Sequence, residues 1–222
     1  MNDRKKPIKP TGTTGPVTII SGSSGATAEF RKLKFPTTKE DIEKFIVNEF
    51  LKAAATLNFL PQAVVSASQN DQANFDFSLK LTGGGTKSLE LMEIAPLENL
   101  RGSYAIAPAS YKPYDFARFI FEKLMAKSQR YKASNQGGLI LLVYVTDWHF
   151  VLSQTVTALL QYWTCHTEHS FEAIYCYSPI DEGTGVAELI YPTPKEFWAT
   201  FNPDSYKENV VVNLSPAEWT PG

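Results

Sequence analysis

The chain has 222 residues, of which 43% are apolar, 20% charged and 13% aromatic, and its formal net charge is −2. That is enough chain to bury a substantial core, as one domain with extensions or two small ones. The near-neutral balance excludes an architectural DNA binder coated in positive charge, but not an enzyme whose groove is only locally basic. Two cysteines, Cys165 and Cys176, are too few for a disulfide framework and read as buried thiols in a reducing compartment. The opening MNDRKKPIKP carries no apolar secretory segment, and no run approaches the roughly 18 apolar residues of a membrane span. These features predict a cytoplasmic protein without a membrane partner.

Residues 1–35 are rich in Gly, Ser, Thr, Pro and Lys, with a short strand-like run at 16–20. They read as a flexible N-terminal arm. The stretch VTIISGSSGATAEF has the outline of a strand entering a phosphate-binding glycine loop. It lacks the Gly-Lys-Ser/Thr of a P-loop and the full dinucleotide fingerprint, so an arm with one strand is the simpler reading. A helix is predicted from Thr37 or Thr38 to about residue 58, with Glu40 and Asp41 in its first turn, where negative charge is favourable. A strand at 63–68 follows, then FDFSLKLTGGGTKSLELMEIAP over 75–96, two apolar strands around a glycine turn. A second helix fits 113–132, with proline at its first position. LILLVYVT (139–146) reads as a fully buried central strand. A third helix fits 153–166, capped by Ser153, and strands are expected at 171–177 and 186–191. The order helix, strand, hairpin, helix, strand, helix, strand, strand predicts an α/β fold, a mixed central β-sheet flanked by helices. That domain would cover 36–200, with an irregular C-terminal tail at 201–222.

Charge on apolar surfaces is the functional signal. Asp76 and Glu90 lie on strands otherwise built for a sheet interior, and brought together they would offer oxygen ligands to a hard divalent cation. On the first helix, Glu49 falls within the apolar stripe of Ile42, Phe45, Ile46, Phe50 and Ala53. Such a glutamate must be paired, protonated or cation-bound, unless it reaches solvent from the rim. On the second helix, Lys123 and Lys127 follow the apolar face of Phe116, Phe119, Ile120, Leu124 and Tyr131. One inward lysine reads as snorkelling; the set Glu49, Asp76, Glu90, Lys123 and Lys127 reads as a polar pocket between sheet and helices.

This pattern resembles the PD-(D/E)XK nuclease superfamily, the restriction-endonuclease-like fold, over half to two thirds of the chain. The resemblance rests on a helix, a three-strand meander, a helix and a strand over residues 37–146, with Asp76 in NFDF and Glu90 in LELMEI. The superfamily's strand lysine is replaced by Met92, and KLMAKSQRY looks like the variant in which the following helix supplies it, through Lys127 with Lys123 in reserve. The resemblance implies metal-dependent phosphodiester hydrolysis of nucleic acid, DNA ahead of RNA, with Mg²⁺ or Mn²⁺ held by Asp76, Glu90 and the helix-one Glu49. It equally accommodates a non-catalytic nuclease-fold subunit of a larger nucleic-acid-processing or defence assembly, and a homodimer or a protein partner. Asp76 and Glu90 converge in only one parity of hairpin register. The connection 82–87 leaves that parity open, with Glu93 the competitor and Glu90 favoured by the family alignment.

Other constellations are weaker. Cys165, His166 and His169 lack a fourth ligand at structural-zinc spacing. Asp147 and His149 sit at a strand terminus without a nucleophile motif nearby, so a turn into the next helix is the simpler account. Tyr104, Tyr111, Tyr114 and Tyr131 would stack on bases or pack a loop.

Overall fold

The computed structural model describes residues 14–22, 25–56, 60, 63–70, 75–94, 110–131, 138–147 and 150–212. Residues 1–13 of the arm, most of the loop after β5, Tyr104, His149 and the tail beyond 212 lie outside the described residues.

The first described elements are a hairpin of β1 (Val17–Gly22) and β2 (Gly25–Phe30), paired from Val17↔Phe30 to Gly22↔Gly25. This corrects the expected single strand. The glycine stretch connects two strands, and no helix N-terminus follows it, which a phosphate loop requires. The pairing continues at the base of the hairpin, where Arg31 N donates to Pro16 O and Leu33 N to Thr14 O.

Helix α1 (Lys39–Thr56) starts where Thr38 accepts from Asp41 N through its hydroxyl and from Ile42 N through its carbonyl. It is followed by β3 (Val64–Gln69), β4 (Phe77–Leu81) and β5 (Thr86–Glu93), then a two-residue β6 (Ser110–Tyr111). Helix α2 (Pro113–Tyr131) leads to β7 (Leu139–Tyr144), and α3 (Gln154–His166), capped by Ser153, to β8 (Ala173–Asp181) and β9 (Thr184–Tyr191). The last described segment holds short 3-10 turns at Lys195–Trp198 and Pro203–Tyr206 and a strand β10 (Val211–Val212) paired with β6.

Six strands form one mixed sheet in the order β3-β4-β5-β7-β8-β9. The first three make an antiparallel meander, β5, β7 and β8 run parallel, and β9 returns antiparallel. A parallel neighbour needs a crossover connection, and α2 and α3 supply the two that this order requires. Side chains alternate across the sheet. Leu89, Leu91, Ile140, Leu142, Tyr175 and Tyr177 therefore pack with α1 on one face, and Leu141, Val143, Ile174 and Cys176 with α2 and α3 on the other. Every residue of β7 is buried, as a strand covered on both faces must be. The fold is thus the mixed α/β sandwich read from the element order. Among the described residues no helix is long and apolar enough to cross a membrane.

Candidate functional site

The turn between β4 and β5 decides which carboxylates meet. Gly84 and Gly85 both adopt positive φ, at 81° and 91°, a conformation only glycine takes without strain. The tight turn fixes Lys80↔Thr86 and, along the ladder, Phe77↔Leu89. One further step places Asp76, just before β4, opposite Glu90. Glu90 shares its face with Leu141, its neighbour on β7, and so points toward α2. Glu93 has the other parity and accepts a 2.7 Å hydrogen bond from Thr146 Oγ1.

From α2, Lys127 meets Glu90 with Nζ 2.7 Å from Oε1. Both partners are largely withdrawn from solvent, the side chains being 8% exposed for Glu90 and 18% for Lys127. A pair this close in a desolvated place is strongly held once formed. The other Glu90 oxygen, Oε2, is buried and has no hydrogen-bond partner among the described residues. Asp76 Oδ2 accepts from the backbone N–H of Leu91 at 2.7 Å, and Asp76 O accepts from Asn70 N. Asp76 therefore closes the end of the β4–β5 ladder besides standing beside Glu90.

Tyr131 lies one helical turn beyond Lys127, on the same face of α2. Burial first, and then the nearby Glu90 charge, push its phenol well above the ordinary range. Its deprotonation beside that carboxylate is strongly disfavoured, so it stands there as a neutral donor. Nothing in the apolar spacing distinguished Tyr131 from the other core-facing aromatics.

Of the two buried α1 carboxylates, Glu43 is the one within electrostatic range of Asp76 and Glu90, although α1 packs on the sheet face opposite to α2. Glu43 is 7% exposed and paired with Lys39 at 3.3 Å. Burial raises its carboxyl above the ordinary range; Lys39 opposes that shift, and the charges of Asp76 and Glu90 add to it. Its signal in the sequence was the Lys39–Glu43 spacing at the edge of the apolar stripe. Glu49 is engaged elsewhere. It accepts from Lys52 Nζ at 2.6 Å and from the backbone N–H of Gly183 in the β8–β9 turn, and it lies close enough to Tyr177 to disfavour that phenolate. The expected pairing of a buried Glu49 thus occurs, with a structural partner. Glu49→Ala should lower stability by about 1–3 kcal/mol by removing a charge-assisted hydrogen bond to the Gly183 N–H, and leave any activity at Glu90 unchanged; chemical denaturation beside a cation titration checks both halves.

Beside Lys127 an open cleft of about 490 Å³ is lined by Met92, Glu93, Phe119, Lys123, Ala126 and Arg130, among others. Met92 follows Glu90 by two positions and shares its face, so Lys127 enters the region where a strand lysine would project. Lys123 Nζ sits 4.8 Å from the centre of the Phe119 ring, a cation–π distance. The cleft wall thus carries Lys123, Lys127 and Arg130 along one side of α2.

Asp76 and Glu90 suit a hard cation chemically, since both offer carboxylate oxygen. Magnesium is commonly held by only one or two carboxylates, with water and phosphate completing its shell. Among the described residues no group of three or more His, Cys, Asp or Glu side chains is arranged to hold a metal ion. The zinc alternative does not assemble. Cys165 Sγ donates to Thr193 O, His166 Nδ1 bonds to Tyr162 O, and His169 Nδ1 accepts from Phe171 N. Asp147 is fully buried, and its carbonyl accepts from Phe150 N in the turn after β7.

No protein-family model, curated protein or solved structure matches the chain.

Proposed function

We propose that this protein hydrolyses phosphodiester bonds of nucleic acid with a divalent cation, through a degenerate PD-(D/E)XK-like site. The observation that carries the reading is the Asp76–Glu90 juxtaposition across β4 and β5 with Lys127 delivered to Glu90 from α2. The element order supports it: α1, a three-strand antiparallel meander, the crossover α2, then β7 parallel to the strand bearing Glu90. In this reading Asp76 and Glu90 hold Mg²⁺ or Mn²⁺, which would supply charge stabilisation at the scissile phosphate. Lys127 neutralises the charge that develops there. Lys123 and Arg130 on the cleft wall fix neighbouring phosphates, which position the strand without reading its sequence.

A second reading has its own observation. Asp76 Oδ2 is bonded to Leu91 N and Glu90 Oε1 to Lys127, so both carboxylates already serve the fold. A non-catalytic nuclease-fold subunit of a nucleic-acid-processing or defence assembly would need nothing more of them. The two readings part on cleavage of plasmid, linear duplex, single-stranded DNA and RNA with Mg²⁺ or Mn²⁺. Metal-dependent cutting by the wild type that Glu90→Gln loses supports hydrolysis. Absence of cutting on every substrate moves the assignment to the scaffold.

A further inference from the structure

We infer that Lys127 and a divalent cation compete for Glu90, so that the ion pair is an internal latch which a cation must open. The inference rests on the proposed cation site at Asp76 and Glu90, and it concerns how that site is regulated.

Three observations lead to it. First, Lys127 Nζ takes Glu90 Oε1 at 2.7 Å in a place where both side chains are mostly buried. A cation bound to the same carboxylate would stand close to an ammonium inside a poorly screened pocket, and like charges there repel strongly. Second, Asp76, the other potential ligand, already has a partner, its Oδ2 being bonded to the Leu91 N–H. The Glu90 carboxylate is therefore already neutralised by Lys127. A divalent ion gains full attraction only if one ammonium leaves. Third, Lys127 has somewhere to go. Its long stem is anchored on α2 and it already lines the open cleft, whereas Lys39 sits on the other helix and pairs with Glu43, not Glu90.

The released ammonium would lie along the wall that carries Lys123 and Arg130. Opening the latch thus adds a positive charge to the surface where a phosphodiester anion would lie. The order that follows is cation first, polyanion second: before the cation arrives, Lys127 is spent on Glu90 and contributes nothing to phosphate.

The test measures binding rather than turnover. Mn²⁺ affinity is followed by electron paramagnetic resonance for wild type, Lys127→Met and Glu90→Gln, each checked for folding by circular dichroism. Lys127→Met should bind Mn²⁺ roughly tenfold tighter than wild type, because one charge-assisted contact to Glu90 no longer has to be broken, and Glu90→Gln should lose the site. A second readout needs no variant. In the wild type, acylation of Lys127 by an amine-reactive reagent, mapped by mass spectrometry, should quicken several-fold as Mn²⁺ saturates. Wild-type binding with equal or weaker affinity in Lys127→Met, or with unchanged Lys127 acylation, overturns the latch and leaves the cation site standing. No Mn²⁺ binding to wild type or to Lys127→Met overturns the cation site and the latch with it.

Discussion

Glu90→Gln should reduce metal-dependent cleavage by about 100- to 1,000-fold, because the cation that would stabilise the developing charge loses a carboxylate ligand. The substitution keeps the shape of the side chain and removes its charge. Lys127, no longer paired, can extend into the adjoining cleft, so the folded state should persist. Asp76 makes a harder experiment, because its Oδ2 also closes the β4–β5 ladder on the Leu91 N–H. Asp76→Ala would orphan that buried amide and mix a stability loss of about 1–3 kcal/mol with any loss of activity. Asp76→Asn retains an acceptor for Leu91 and separates the two. A full set in which Glu90→Gln and Asp76→Asn both lose activity, while Glu49→Ala keeps it, would place the chemistry at the β4–β5 edge. It would also exclude the Glu49 end of α1.

The elements were readable because each carries its own local physics. LILLVY over β7 has no polar residue to turn outward, which suits only a strand covered on both faces. Pro113 and Ser153 mark the starts of α2 and α3 by stereochemistry and by a side-chain acceptor. What the sequence withheld was tertiary. The parity of Asp76 and Glu90 depends on two successive glycines at positive φ, and a glycine's identity permits that conformation without demanding it. Helical periodicity put Glu49 on the buried side of α1, correctly, but gives no information about which strand end a given turn of the helix meets. Its partner, the Gly183 amide, lies 134 residues away. The electrostatic proximity of Glu43, six residues earlier, to Asp76 and Glu90 arises only once α1 is laid across the sheet. The N-terminal glycines suggested a phosphate loop because the strand that pairs back, GATAEF, has weak strand propensity of its own.

Phe50→Ala should destabilise the protein by about 3–5 kcal/mol, the cost of removing a large ring from a close-packed interior. Phe50 is fully buried at the centre of the α1–sheet interface. Its ring lies 5.5 Å from that of Tyr175 and 5.9 Å from that of Tyr177 on β8, within the range where tilted and edge-to-face aromatic pairs attract. It also follows Glu49 directly on α1, so the ring and the carboxylate together hold the helix to β8 and to the turn after it. Losing the ring leaves a cavity that β8 cannot close, since the strand is fixed between β7 and β9. Against a total stability of about 5–15 kcal/mol for a typical domain, that loss is large, and the midpoint of thermal unfolding should drop by roughly 6–20 °C. The consequence for the site is indirect. α1 packs on the sheet face opposite to α2, so Phe50→Ala should weaken Mn²⁺ binding only as far as the lost packing loosens the strands that carry Asp76 and Glu90. Phe50→Leu, which retains most of the buried volume, should recover most of the stability and the binding with it. Thermal melts and Mn²⁺ titrations on the two variants would show whether α1 holds the site through packing.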